Sequence, residues 1–165
     1  MKIYNQIDDK VLDEIVDILN NDGLIIFPTD TVYGIACNSF SDKALNKLFL
    51  AKSRSFDNPI GVLTDSIDKI NLVVDNINNI EKELMDKYFP GNLTIVFNKK
   101  LGVSDILTAN KSTIGVRIPN NDIALKILGA YPYPLATTSV NLAGCKVGVE
   151  INDFNAYLDQ FDKEI

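Results

Sequence analysis

The chain has no histidine and only two cysteines among its 165 residues. Without histidine, a Ser-His-Asp or Cys-His nucleophilic site cannot be built, and a histidine-ligated zinc site is excluded. Cys37 and Cys145 are too few for a structural zinc site or for the disulfide framework of a small secreted domain. We therefore interpret both as buried thiols and expect any catalysis to depend on other side chains.

Dense basic clusters and long apolar runs are also missing. The net charge is −6 and the pI is near 4.6, so we expect no avid binding to nucleic acid, although a local basic pocket would fit within such a protein. The longest aliphatic runs, such as residues 24–27, are too short to cross a bilayer. Residues 1–10 do not resemble a signal peptide. We therefore expect a cytoplasmic protein with no membrane partner.

The spacing of apolar residues predicts alternating helices and strands. One helix is predicted between the candidate caps Asp8 and Asp9 and the stop signal Gly23, and a second begins at Ser41. Further helices are predicted at 65–70, 77–88 and 122–128, and strands at 24–27, 59–63, 93–97, 113–118 and 135–139. No repeat or linker interrupts this pattern. We predict a single α/β domain over residues 1–165, with a twisted, mostly mixed sheet and flanking helices.

The segment Pro-Thr-Asp-Thr-Val-Tyr-Gly at 28–34 directly follows a predicted buried strand. Ligands of open α/β sheets bind at the ends of strands, and this segment is dense in hydrogen-bonding side chains. The alternative interpretation is a polar turn with Tyr33 packed on the core.

Both arginines of the chain also lie at the ends of predicted elements. Arg54 follows Lys52 at the end of a helix, shortly before Asn58, and Arg117 ends a strand. The guanidinium fork suits carboxylate and phosphate groups, which favours an anion site. The alternative for Lys52 and Arg54 is that cations simply stabilise a helix C-terminus.

A third segment, residues 137–144, combines small hydroxyl and amide side chains after a predicted strand. A loop of this kind can hold an anion with its backbone amides, or it can be a hydroxyl-rich turn that ends at Gly144. Neither a Walker loop nor a dinucleotide fingerprint is present, so a nucleotide would have to be bound in another way.

Together these segments resemble the threonylcarbamoyl-AMP synthase (YrdC-domain) family. The ordered similarities are P-T-D-T-V-Y-G, K-x-R with a following Asn-Pro, P-G-x-L-T, V-R-x-P and a T-S-x-N loop. They lie at residues 28–34, 52–59, 90–94, 116–119 and 138–144. The resemblance implies a YrdC-like fold and an L-threonylcarbamoyladenylate synthase, a nucleotidyltransferase that makes threonylcarbamoyl-AMP and pyrophosphate from L-threonine, bicarbonate and ATP for tRNA modification.

The resemblance also implies roles for individual residues. The implied L-threonine-binding residues are Thr31, Tyr33, Arg117 and Thr137. The implied ATP-binding residues are Lys52, Arg54, Asn58, Thr113, Ser139 and Asn141. Mg²⁺ is expected to arrive with ATP, and no residue is assigned as a metal ligand or as an acid or base. A tRNA or a protein of the tRNA-modification pathway is an implied partner.

Two other hypotheses remain open at this point. The chain ends at Ile165, where family members commonly continue towards the nucleotide, so a C-terminally short member could be a nucleotide- or RNA-binding module without synthesis. Leu63 stands where some members have a threonine-contacting histidine. This favours a third hypothesis, a relative that acts on a different carbamoylated intermediate, as the similar domain does in hydrogenase-maturation carbamoyltransferases.

Overall fold

The computed structural model describes residues 2–141, which form a six-stranded sheet with helices packed against it. The strands are β1 Ile25–Phe27, β2 Gly34–Asn38, β3 Gly61–Leu63, β4 Ile95–Asn98, β5 Thr113–Arg117 and β6 Leu135–Ser139. The helices are α1 Asp9–Asn20, α2 Asp42–Ala51, α3 Ile67–Val73, α4 Asn79–Tyr88, α5 Asp105–Thr108 and α6 Asp122–Ala130.

The sheet has the strand order β1-β2-β6-β3-β5-β4. Strands β3 and β5 pair in parallel, and the other neighbouring pairs are antiparallel. The last described strand therefore lies in the middle of the sheet, between β2 and β3. The predicted α/β fold with a mixed sheet and flanking helices is confirmed.

The predicted helix starts are confirmed by their caps. The side chains of Asp8, Ser41 and Asn121 each accept a hydrogen bond from the backbone N–H three residues later, at 2.9, 3.2 and 3.0 Å. Helix α4 begins with a capping box, in which Asn78 and Glu81 satisfy each other's backbone N–H groups. These contacts supply partners for N–H groups that the first turn of a helix leaves unpaired.

Two elements were not predicted. Strand β2 contains only three consecutive apolar residues after Gly34, too few to establish a strand period. Helix α5 is a single turn, shorter than any periodic signal. The strand predicted at 59–63 begins two residues later, at Gly61. In the described part of the chain, no helix has both the length and the apolar character needed to span a membrane.

One side of the sheet, here called the closed face, forms the main core. Side chains alternate between the two sides of each strand, and eight core residues on this side are at most 6% exposed. Helix α2 covers them with Leu45, Leu48 and Phe49. These eight buried residues of the closed face are Ile35, Cys37, Val62, Ile95, Phe97, Ile114, Val116 and Ala136.

The other side of the sheet is divided into an apolar part and a polar part. Helices α1 and α6 pack over the apolar part, which includes Phe27, Leu63 and Leu135. The remaining part, here called the polar strip, is half-buried and belongs to neither apolar cluster. The strip consists of Gly61, Thr113, Gly115, Arg117, Thr137 and Ser139.

Candidate functional site

The centre of the polar strip is bare backbone, because two glycines lie side by side on neighbouring strands. Gly61 pairs with Thr137 on β6, and Gly115 pairs with Val96 on β4. A β-carbon added at Gly61 would lie 3.1 Å from the Gly115 carbonyl oxygen, and one at Gly115 would lie 3.2 Å from Cγ2 of Thr94. A ligand can therefore approach the sheet more closely here than side chains would permit.

Arg117 extends from one end of the strip and joins two of the predicted segments. Its Nε donates to the carbonyl oxygen of Gly91 at 2.8 Å, and its Nη1 donates to Oγ1 of Thr31 at 3.3 Å. Its Nη2 forms an ion pair with Oδ1 of Asp30. The side chains of Arg117 and Asp30 are only 13% and 15% exposed. The predicted threonine-binding residues Thr31 and Arg117 therefore lie in contact.

The loop that carries Asp30 is fixed by the hydroxyl of Thr29. This oxygen accepts hydrogen bonds from the backbone N–H groups of Thr31 and Val32, both at 3.2 Å, and donates to the Val32 carbonyl at 2.6 Å. Such a local turn holds the backbone in one conformation. Thr29 and Asp30 were not predicted as site residues, although the Thr-x-Thr spacing of this turn is visible in the sequence.

Gly91 anchors Arg117 through its backbone. Its N–H donates to the Ile118 carbonyl at 2.8 Å, while its own carbonyl accepts from Arg117. A β-carbon at Gly91 would lie 2.6 Å from the Tyr88 carbonyl oxygen, so the turn requires glycine here. Gly91 belongs to the P-G-x-L-T segment of the resemblance, but its contact with Arg117 was not predicted.

Lys52 marks a second cationic centre, at the C-terminal end of α2. Lys52 is 1% exposed. Its ammonium donates to the Ser139 carbonyl at 2.5 Å, to Oδ1 of Asn141 at 2.9 Å and to the Asn141 carbonyl. The Ser139 hydroxyl also donates to Oδ1 of Asn141 at 2.6 Å. The structure therefore brings together three of the predicted ATP-binding residues. An ammonium has three N–H donors, so Lys52 can make all three of these contacts at once and hold the end of β6 in place.

Arg54, Asn58 and Thr113 lie at the same end of the sheet as Ser139. Arg54 donates to the Asn58 carbonyl at 3.1 Å and to the Pro59 carbonyl at 3.0 Å, while the Asn58 residue is exposed. Thr113 begins β5, and no described contact joins it to Arg54. Along β5, Thr113 lies roughly 13 Å from Arg117, at about 3.3 Å per residue. Arg117 and Thr113 therefore lie at opposite ends of the strip, Thr137 lies between them beside Gly61, and Tyr33 lies beside Val140 near the Ser139 end.

Tyr33 and Thr137 differ in their positions. The side chain of Tyr33 packs against the closed-face core, which agrees with the alternative interpretation of this residue, and its carbonyl accepts from the Val140 N–H at 3.0 Å. Thr137 lies on the polar strip, and its hydroxyl donates to the Leu135 carbonyl at 3.0 Å. Residues 142–144 of the last segment and Cys145 lie outside the described residues.

Metal-binding side chains do not converge at this site. Within residues 2–141, no group of three or more Cys, Asp or Glu side chains is arranged to hold a metal ion. The carboxylate of Asp30 is already paired with Arg117. The chemistry that the described site can supply is the binding of anions by guanidinium, hydroxyl and backbone groups.

Comparisons with known proteins identify related sequences. The family model Sua5_yciO_yrdC, described as telomere recombination, matches residues 17–164. A protein of Methanocaldococcus jannaschii is 33% identical over 156 residues, which cover 94% of this chain and 69% of that protein. The threonylcarbamoyl-AMP synthase of Pyrococcus abyssi is 34% identical over 121 residues, which cover 73% of this chain and 36% of that enzyme.

A solved structure has the same fold. The crystal structure of P. abyssi Sua5 complexed with L-threonine matches with a TM-score of 0.83 and 29% sequence identity, over 87% of this chain and 42% of that one. This chain thus spans less than half of both P. abyssi proteins. The similarity therefore concerns the domain that contains the polar strip.

Proposed function

The chain belongs to the Sua5/YciO/YrdC family, and from this we propose that it is an L-threonylcarbamoyladenylate synthase. The reaction joins L-threonine, bicarbonate and ATP to form threonylcarbamoyl-AMP and pyrophosphate, and the product serves tRNA threonylcarbamoyladenosine modification. The enzyme would therefore be a nucleotidyltransferase. The synthase name of the P. abyssi relative and the L-threonine complex of the structural neighbour support this proposal.

The observation that carries the proposal is the environment of Arg117. Its guanidinium is largely shielded from water, is held by Gly91 and Asp30, and lies beside the hydroxyl of Thr31. A fixed guanidinium is suited to bind the carboxylate of an amino acid, and a neighbouring hydroxyl adds a polar contact for its side chain. Leu63 lies directly beside Arg117 in the sheet, where α1 and α6 cover it, so the site borders the apolar part of this side.

The nucleotide would bind at the other end of the polar strip. Arg54, Ser139 and Asn141 would contact the phosphates, with Thr113 and Asn58 at the edge of the same region. Lys52 would act mainly by holding Ser139 and Asn141 in place, because its ammonium is already bonded to both residues. Direct contact between Lys52 and a phosphate would require one of these bonds to be exchanged.

The chemistry proceeds in two balanced steps. The threonine nitrogen attacks the carbon of bicarbonate, and loss of water leaves an N-carboxylate. An oxygen of this carboxylate then attacks the α-phosphorus of ATP, the new P–O bond forms, and the bond to the β-phosphate oxygen breaks to release pyrophosphate. Two anions must meet in the second step, so cations and backbone donors are the groups that lower its barrier.

Mg²⁺ enters this proposal as part of the MgATP substrate. ATP phosphates carry the metal in many nucleotide-dependent enzymes, with few protein ligands. The residues assigned here would bind, orient and shield the reactants. The proposed reaction requires no histidine or cysteine nucleophile. This agrees with a chain that contains no histidine.

The test is threonine-dependent release of pyrophosphate from ATP in the presence of bicarbonate and Mg²⁺. Wild-type protein should release pyrophosphate only when L-threonine is present. Arg117→Ala should lower kcat/KM for threonine by at least about 30-fold, because a charged hydrogen bond in a shielded site contributes roughly 2–5 kcal/mol. Lys43→Ala is the control, since Lys43 is an exposed lysine of α2 that pairs with Asp22.

Two outcomes would contradict the proposal. Absence of threonine-dependent release, despite measurable ATP binding by calorimetry, would favour a nucleotide-binding module without synthesis. An unchanged threonine response in folded Arg117→Ala protein would show that Arg117 does not bind the substrate carboxylate.

A further inference from the structure

The Arg117–Asp30 ion pair places a negative charge beside the cation that would bind the substrate. Asp30 is exposed through its backbone, whereas its side chain is only 15% exposed. Its Oδ1 accepts from Nη2 of Arg117, and the adjacent residue Thr31 accepts from Nη1. The site therefore presents a fixed positive group and a fixed negative group next to each other.

The guanidinium retains donors for a ligand. Arginine has five N–H donors, and the described contacts with Gly91, Thr31 and Asp30 use three of them. The other two can receive a carboxylate without breaking the ion pair. Asp30 therefore does not have to leave Arg117 when a substrate carboxylate binds.

The charges of a free α-amino acid match this arrangement. Its carboxylate and its ammonium are attached to the same carbon atom, so a ligand whose carboxylate lies on Arg117 carries its ammonium within reach of a neighbouring carboxylate. An α-hydroxy acid of the same shape would bring only its negative charge towards Asp30. The Asp30 carboxylate would attract the ligand ammonium and repel a ligand that brings only a negative charge. Both effects are strongest where water is partly excluded.

Resting on the proposed function, we propose that Asp30 binds the α-ammonium group of the amino-acid substrate. Arg117 and Asp30 together then form a zwitterion-binding pair, and Asp30 determines that the site accepts α-amino acids in preference to α-hydroxy acids. The loop conformation fixed by Thr29 maintains the position of Asp30 relative to Arg117.

The experiment compares two ligands and two proteins by isothermal titration calorimetry. The ligands are L-threonine and 2,3-dihydroxybutanoate of matching configuration, which has a hydroxyl in place of the ammonium. Asp30→Asn keeps an oxygen acceptor for Arg117 but removes the negative charge. It should weaken L-threonine binding about 10- to 100-fold, the range expected for one charged hydrogen bond, and leave dihydroxybutanoate binding equal or tighter.

The outcomes separate this proposal from simpler roles. Equal losses for both ligands would mean that Asp30 only orients Arg117, and unchanged L-threonine binding would mean that it does not contact the ammonium. Either result would overturn the proposal while leaving the proposed function intact. Failure of wild-type protein to bind L-threonine would overturn both.

A matched control removes a carboxylate elsewhere. Asp105→Asn breaks an ion pair with Lys99 in which the Asp105 side chain is 71% exposed. This variant should bind both ligands as wild type does. Equal urea midpoints for Asp30→Asn and wild type would show that changes in affinity do not arise from unfolding.

Discussion

The two sides of β5 show how differently one short strand can be used. Ile114 and Val116 point to the closed face and are 2% and 0% exposed. Thr113, Gly115 and Arg117 point to the polar strip and are half-buried. The closed side consists of branched aliphatic side chains that fill the core, whereas the strip combines a hydroxyl, a bare backbone and a guanidinium.

This difference separates residues that build the fold from residues that serve a site. Apolar burial stabilises a domain by about 25 cal/mol per Å², so the closed face accounts for the stability of the strand. A glycine in a strand contributes no such burial and lowers stability through its conformational freedom. Gly61 and Gly115 therefore make sense as a surface for a ligand rather than as packing residues.

The largest expected effect lies on the closed face. Val116→Ala should lower the free energy of unfolding by about 2–3 kcal/mol, because the variant loses buried methyl groups and leaves a cavity. Urea denaturation measures this change. Since Val116 does not face the strip, kcat/KM of the folded variant should remain within about twofold of wild type. A large loss of activity without loss of stability would contradict the separate roles of the closed face and the strip.

The next effect lies one residue away, on the strip. Gly115→Ala places a methyl group on the surface where the proposed ligand lies, 3.2 Å from Cγ2 of the exposed Thr94 side chain. We expect stability to change by less than about 1 kcal/mol, while kcat/KM falls about 10-fold. Pyrophosphate release and urea denaturation together test this separation.

Gly129→Ala provides the matched control for the preceding substitution. Gly129 is exposed near the end of α6, and its added β-carbon would lie at an ordinary distance of 3.6 Å from Oδ2 of Asp65. The change should stabilise the protein by up to about 1 kcal/mol without affecting activity. If both glycine variants lost activity equally, the strip would have no special role.

The last prediction concerns the reactivity of Cys37 on the closed face rather than stability or activity. Burial of its thiol, with a smaller contribution from Asp22, raises the pKa of Cys37 to about 12. At pH 8 the thiol is therefore protonated, and alkylation by iodoacetamide should be on the order of 1,000-fold slower in folded protein than in urea. The Cys145→Ser background isolates this thiol in a mass-spectrometric assay, and fast labelling of folded protein would show that the closed face opens.

Much of the fold could be predicted because it depends on local patterns. The caps Asp8 and Ser41 lie where the sequence placed them, and β6 has the predicted bounds at residues 135–139. These features depend on hydrogen bonds and apolar spacing within a few residues. Strand β2 was missed because its ladder with β6, a strand about 100 residues away in sequence, stabilises it more than its own short apolar run does.

The candidate site could be predicted only in part. The positions of Arg117 beside Thr31, and of Lys52 beside Ser139 and Asn141, agree with two groups that the motifs suggested. The contacts of Gly91 and Asp30 with Arg117 were not predicted, since they join residues from separate loops. The individual roles of these residues in binding ATP, threonine and Mg²⁺ stay predictions.

The sequence by itself determined the α/β architecture, the absence of histidine-based chemistry and the resemblance that leads to a synthase. The tertiary structure decided which groups meet: that Asp30 pairs with Arg117, that two glycines expose the sheet backbone between the two cationic centres, and that Lys52 holds the end of β6. The reason is physical. Helix caps and strand periods are set by neighbours in the chain, whereas an ion pair or a bare patch of sheet depends on the register of strands that are distant in sequence.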